Sequence, residues 1–261
     1  MTLQEKKTKV RSMLSSALKN GLSSKDKIDR ITKYFKIKNL YNYSLMNQIL
    51  ILFQGGSFCQ SFKQWKKLGR YVKKGEKAHI FVWFPYMQKD DHADEDDDEK
   101  YYLTGFGVGN VFDVSQTEGE PLHYEYNNPD TSDLDYVKIK TLFPIDISEK
   151  ILEEARGYYQ PLDHTIVINE IANNDDKLRT LFHELGHAML HPKECEMSRS
   201  VKEVEAEAVK ALVCSYCGLD YSLSDSYIAS FAKSSDILDD VRYTKVITAA
   251  DSIIKKIDQL A

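Results

Sequence analysis

The residues best suited to chemistry are His183, Glu184 and His187, an HExxH pattern inside the stretch NNDDKLRTLFHELGHAMLHP at 173–192. Residues four apart on a helix stack with Cβ atoms about 5–6 Å apart, so two imidazoles at this spacing reach one zinc ion at about 2.0–2.1 Å. Glu184 follows the first ligand directly and flanks the open coordination position. There a carboxylate can take a proton from water whose pKa the metal lowers to about 7, and that water attacks a carbonyl carbon while the ion polarises its oxygen. On a helix, the pattern is specific for a metal hydrolase.

A third protein ligand is needed, and the sequence KEVEAEAV at 202–209 offers it. Glu203 and Glu207 share one helical face, whereas Glu205 points well away from it. In zinc peptidases with a glutamate third ligand, a second acidic residue one turn later often fixes the tautomer of a ligating histidine. Glu203 is therefore assigned as the ligand and Glu207 as the residue behind it, against the alternative that these glutamates form a solvated face. His191 lies about 12 Å along the axis from His183, too far to share the ion.

The elements that must position these groups are legible around them. Asn173 or Asn174 caps the helix, Asp175 and Asp176 sit at the positive end of its dipole, and Pro192 stops it. Leu178, Leu181, Phe182, Leu185 and Met189 recur at helical steps and give it a face to bury. The glutamate segment opens a second helix that ends at Gly218. Before the metal helix, residues 163–169 read as a turn into a strand, expected at a sheet edge where an extended peptide can pair with it. Leu134–Leu142 reads as a helix, and two or three more follow Gly218, near 224–234 and 236–257.

The first half has a different character. Residues 1–88 hold 18 Lys and Arg against 4 Asp and Glu, and the remainder holds 17 against 36. Such asymmetry predicts two domains, the first of which meets a polyanion. Residues 3–21, a second segment opened by Ser23, and 43–53 read as helices. In the stretch SFKQWKKLGRYVKKGEK at 61–77, cations alternate with aromatic rings, the combination that neutralises phosphates and stacks on unpaired bases. Lys63, Trp65, Lys66, Lys67, Arg70, Lys73 and Lys74 are the candidate contacts, with Trp65 equally able to face a core. Residues 78–84 and 101–109 read as an antiparallel strand pair, separated by the acidic run 90–99, which lacks the spacing of a calcium loop. The glycines 105, 107 and 109 do not form a dinucleotide fingerprint. The expected class is α+β: a basic domain at 1–122 and a mainly helical, zincin-like domain with a small sheet at 123–261, joined by a linker near 120–133.

The longest apolar run, Ile49–Phe53, is far short of a membrane span, and the N-terminus lacks an apolar signal core, so a cytoplasmic protein without a membrane partner is expected. Cys59, Cys195, Cys214 and Cys217 do not make a disulfide framework, and the Cys214/Cys217 pair reads as buried small residues.

The chain resembles the ArdC-type antirestriction proteins of mobile elements. The likeness rests on YSLMNQILI (43–51), SFKQWKKLGRYVKKGEKAHI (61–80), VFDVSQTEGEPL (111–122), GYYQPLDHTIVIN (157–169), TLFHELGHAMLH (180–191) and EVEAEAVKALVCSYCGLD (203–220). It implies an N-terminal domain that binds single-stranded DNA and a C-terminal metallopeptidase domain. Zn²⁺ would sit on His183 and His187, with a third ligand from 203–207, Glu184 as the catalytic carboxylate, and an unknown protein as substrate. The acidic run looks like an elaboration of the family pattern. Two other functions fit the sequence: a non-catalytic DNA shield with a structural zinc site, and a regulatory protease that cleaves a phage or element repressor.

Overall fold

A computed structural model describes residues 2–35, 37–38, 43–89, 101–122, 125–126, 134–193, 196–232, 238 and 241–260. The acidic run, most of the expected linker and Cys195 lie outside them. The chain opens with helices α1 (Leu3–Gly21) and α2 (Lys25–Phe35). It divides into two compact units, one of Met1–Ala17 with Leu40–His123, the other of Leu18–Asn39 with Tyr124–Ala261. Residues 18–39, expected in the first domain, thus fold with the second unit.

In the first unit α1 buries Val10, Leu14 and Ala17, the stripe its periodicity predicts. Helix α3 (Leu45–Phe53) starts at Ser44, whose hydroxyl accepts from the Asn47 N–H, and buries Ile49, Leu50 and Ile51. Strand β2 (Cys59–Gln60), helix α4 (Phe62–Lys67) and strand β3 (Arg70–Val72) follow, then the long antiparallel pair β4 (Ile80–Lys89) and β5 (Tyr101–Asp113). The sheet runs β2-β5-β4, and β3 pairs separately with β6 (Thr117–Gly119). β4 is therefore an edge, and two amides of α3 cover it. Asn47 donates to the Trp83 carbonyl at 2.6 Å and accepts from its N–H at 2.8 Å; Gln54 does the same for Phe81 at 2.9 Å each. Side-chain amides thus replace a missing strand and keep the edge from pairing elsewhere. Ile51, Cys59, Ile80, Val82 and Val111 form the core beneath.

In the second unit the short strands β1 (Ile37–Lys38) and β7 (Glu125–Tyr126) pair antiparallel. Helix α5 (Tyr136–Lys140) precedes a three-stranded sheet of β8 (Asp146–Lys150), β9 (Gly157–Gln160) and β10 (Thr165–Asn169). Its order is β8-β10-β9, so β10 is central, not the edge the sequence predicts. Ile166, Val167 and Ile168 are all buried, the continuous apolar run that a strand covered on both faces requires. The edge facing the functional helix is β9. Helices α6 (Asn174–Leu190) and α7 (Arg199–Cys217) follow, then α8 (Asp225–Ala232) and α9 (Tyr243–Ile257). The last begins at Tyr243 rather than near 236.

Helix α7 is the hub, packed on α6, α9 and α2. The contact with α2 explains why residues 18–39 belong here: Thr32 bonds to the Ser215 hydroxyl at 2.6 Å, and Asp29 accepts from Ser215 and Tyr221 at 2.6 and 2.8 Å. Cys214 and Cys217 are buried thiols of the same helix, outside any disulfide, as expected. Gly218 stops α7 with φ 72°, a left-handed cap that favours glycine. No helix of the described residues is long and apolar enough to cross a membrane.

Candidate metal centre and basic surface

Helix α6 starts where the sequence predicts. The Asn173 side chain accepts from the Asp176 N–H at 2.9 Å, and Leu178, Leu181, Phe182 and Leu185 are buried. Burying that stripe leaves His183 and His187 one turn apart on the flank toward α7. The closeness of the two helices is set by Gly186, at which an added Cβ would lie 3.0 Å from the Ala206 Cα. A side chain there would hold the helices apart.

Three donors converge. His183 Nε2 and His187 Nε2 are 3.1 Å apart, and Glu203 Oε2 lies 3.5 and 3.7 Å from them. Tetrahedral bonds of about 2.0–2.1 Å place neighbouring donors about 3.3 Å apart, so the set fits a zinc-sized ion to within a few tenths of an ångström. Among the described residues this is the one group of three or more His, Cys, Asp or Glu donors that all lie within 4.8 Å of one another. Glu207 Oε2 stands 3.4 Å from His183 Nδ1, behind the ring, while its other oxygen accepts from Lys210 at 2.7 Å and the Ser224 N–H at 3.0 Å. Glu203 is thus at the convergence point and Glu207 behind it.

The electrostatics match a cation site. Burial works against a charged His183, yet Glu203 and Glu207 beside it raise its pKa to about 9. The two imidazoles hold Glu203 well below the usual carboxylate range. Burial raises Glu184, and His183, His187 and the Tyr159 N–H reverse only part of that. A buried carboxylate of raised basicity is what a general base requires. Glu184, on α6, faces the edge of β9 through that backbone bond. A cleft of about 570 Å³, with Tyr158, Tyr159, Met197 and Lys202 in its walls, opens on one side of the histidines. Another of about 370 Å³, with Arg156, Arg179 and Tyr221, opens on the other.

Behind His187 is an arrangement the sequence does not reveal. His191 Nδ1 is 3.0 Å from His187 Nδ1, and His191 Nε2 is 3.0 Å from Glu205 Oε2. Glu205 is fully buried and accepts from Arg242. His191 is outside the donor set, as its distance along the helix predicts, but it touches a member of it. The only signal was the i, i+4 spacing of His187 and His191; Arg242 carried none.

The basic stretch divides by burial. Trp65 is 0% exposed and donates its indole N–H to the Phe112 carbonyl at 2.9 Å, so it is a core residue without a ring face for a base. Arg70 donates to the Thr117 hydroxyl and to the carbonyls of Thr117, Gly119 and Glu120, clamping β3 to β6. Lys63, Lys66, Lys67, Lys73 and Lys74 are exposed, with Lys73 also reaching the Ser115 carbonyl at 2.9 Å. The exposed rings of the stretch are Phe62 and Tyr71, at 62% and 57%.

A helix bearing two histidines, a carboxylate supplied by the next helix, and a small sheet whose edge runs past both define a zincin-like, metallopeptidase-type domain, here following a basic α+β unit. Comparison with known proteins agrees on both halves. Residues 142–226 match the IrrE N-terminal-like domain family of M78 peptidases, and residues 9–112 match the N-terminal domain of anti-restriction factor ArdC. The chain thus joins a domain of the ArdC N-terminal type to a domain of the M78 peptidase type. The metal-free crystal structure of antirestriction ArdC from the R388 plasmid is similar with a TM-score of 0.54 at 22% identity, over 94% of this chain and 95% of that one. The Mn(II)-bound structure of that protein gives 0.51 at 23%, over 82% and 84%. A Bacillus anthracis protein, pXO2-81, is 26% identical over 274 positions, which is 84% of this chain and 46% of the relative. The chain spans about half the length of that curated relative.

Proposed function

We propose that the second unit is a zinc-dependent peptidase centre, with His183, His187 and Glu203 as ligands, Glu184 as general base and Glu207 orienting His183. The convergence of His183 Nε2, His187 Nε2 and Glu203 Oε2 carries this reading. A bound divalent cation supplies Lewis acidity, which acidifies water and polarises a carbonyl. Glu184 then takes a proton from water and returns it to the departing amine. Burial keeps that carboxylate basic, and the Tyr159 N–H holds it at the β9 edge, where an extended peptide can add as a further strand. Three protein donors leave a position open, whereas structural zinc sites are closed by four, which favours the hydrolase over a structural ion.

The basic unit, in the same proposal, holds single-stranded DNA through Lys63, Lys66, Lys67, Lys73 and Lys74, with Phe62 and Tyr71 taking the stacking role expected of Trp65. Together the two activities would protect DNA entering a new host from restriction, in the cytoplasm, by processing a protein bound to or acting on that DNA. The test is metal analysis of the purified chain alongside Glu184→Gln. The variant should retain stoichiometric zinc and lose both proteolysis and protection of transferred DNA. Full protection by Glu184→Gln would leave a DNA shield and remove the peptidase from the function.

A further inference from the structure

We infer that His191 and Glu205 are positioning residues for His187, so that all three glutamates of the 203–207 segment serve one metal centre. The inference rests on the proposed ligand set and extends it. His187 points Nε2 at the convergence point, 3.1 Å from His183 Nε2, and turns Nδ1 to His191 Nδ1 at 3.0 Å. A neutral imidazole has one proton, and two ring nitrogens at bonding distance need one donor and one acceptor. An Nε2 that gives its lone pair to a cation leaves the proton on Nδ1. His187 therefore donates and His191 accepts at Nδ1. The His191 proton must then be on Nε2, the atom 3.0 Å from Glu205 Oε2. Each assignment forces the next, and the chain closes on an acceptor.

That acceptor is held as a carboxylate. Arg242 donates to it from its backbone N–H at 2.6 Å, Nε at 3.1 Å and Nη2 at 2.6 Å, and anchors itself on the Leu190 carbonyl at 2.9 Å. A buried ion pair is a poor source of stability compared with packed hydrocarbon, so its occurrence directly behind a ligand points to orientation. The geometry explains the relay. Glu207 shares the face of Glu203 and reaches His183 directly, whereas Glu205 lies about 200° round α7 from Glu203 and needs an imidazole to span the gap.

The test uses zinc as the probe. In the zinc-loaded wild type, ¹⁵N shifts of the imidazoles should show His187 protonated at Nδ1 and His191 at Nε2; a His191 proton on Nδ1 overturns the relay without any variant. Zinc affinity by chelator competition should fall about 10–100-fold in His191→Phe and in Glu205→Gln, the range for disturbed partners behind a ligand. His191→Gln, which keeps an acceptor toward His187, should recover part of the loss, a recovery that a merely packing role would not give. A folded His191→Phe with wild-type zinc affinity refutes the inference. Failure of the ligand set itself would look different, because the wild type would then take up no zinc.

Discussion

Gly186→Ala tests whether the approach of α6 to α7 sets the metal geometry. Alanine is the better helix former, by about 1 kcal/mol in a helix interior, so on propensity alone the change should stabilise the protein. The added methyl, however, would lie 3.0 Å from the Ala206 Cα and 3.3 Å from the Ala206 carbonyl oxygen and the Val209 Cβ. Comfortable carbon contacts are about 3.5–4.0 Å, so α7 must give by a few tenths of an ångström. Backbone cannot rotate away as a long side chain can, and overpacking of this kind costs about 1–3 kcal/mol. The metal-free protein should therefore be unchanged to about 2 kcal/mol less stable. Metal binding should suffer more. Ala206 lies between Glu203 and Glu207, and ligand distances tolerate only about 0.2 Å. We expect zinc affinity to fall at least tenfold, so the stabilisation by a fixed excess of zinc should shrink by about 1.4 kcal/mol per tenfold. Chelator competition and thermal unfolding with and without zinc separate the two effects. A variant with raised melting temperature and unchanged zinc affinity would show that the helix contact is slack and that the argument is wrong.

Other expectations concern the first unit. Asn47→Ala removes both bonds to Trp83 and leaves a strand edge unpaired, so this unit should lose about 1–3 kcal/mol in urea unfolding and aggregate more readily. Asp113 accepts from the N–H and hydroxyl groups of both Ser57 and Ser115. Burial pushes its carboxyl up, but these bonds prevail and hold it below the usual range. Its contribution is fully present above the unfolded value of about 3.9 and is lost as pH falls through the lower folded value. Urea titrations from pH 7 to pH 3 should show that decline in the wild type and a flatter one, from lower stability, in Asp113→Asn. For DNA, the five exposed lysines predict a slope of about −3.5 in log affinity against log salt on single strands, and Lys66→Gln with Lys67→Gln should reduce its magnitude by about 1.4. Tyr71→Ala should weaken binding by about 1–3 kcal/mol without altering that slope, whereas a loss confined to the slope would remove the ring from the interface.

What the sequence makes legible is what one element decides. The HExxH spacing, the Asn173 cap and the Gly218 stop are local, and each falls where the spacing predicts. Glu203 and Glu207 are separable from Glu205 because a spacing of four brings two side chains to one face. Residues whose role depends on a second element were not legible. Trp65 and Lys66 are neighbours in a basic run, yet only the sheet beneath α4 decides that one ring is buried under the Phe112 carbonyl. The centre of the β8-β10-β9 sheet could not be read because its order depends on which strand returns between the others. Residues 18–39 look like the rest of the basic half until Asp29 and Thr32 find Ser215 in α7.

Glu205 is the sharpest case, because local reasoning only turns it away from the face of Glu203 and Glu207, and the fold buries it completely. Three glutamates at alternate positions of α7 make a poor stripe for a packed helix, and the burial of Glu205 and Glu207 is tolerable only if each carboxylate finds partners. With neutral imidazoles, the groups bonded into the centre are Glu184, Glu203, Glu205 and Glu207 against Lys210 and Arg242, which leaves two negative charges. A divalent cation cancels them. Burial lowers the His183 pKa, but Glu203, Glu207 and Glu184 outweigh it and raise it to about 9. On the proposed reading, the alternation of glutamates on α7 is what a doubly charged ion would need around it.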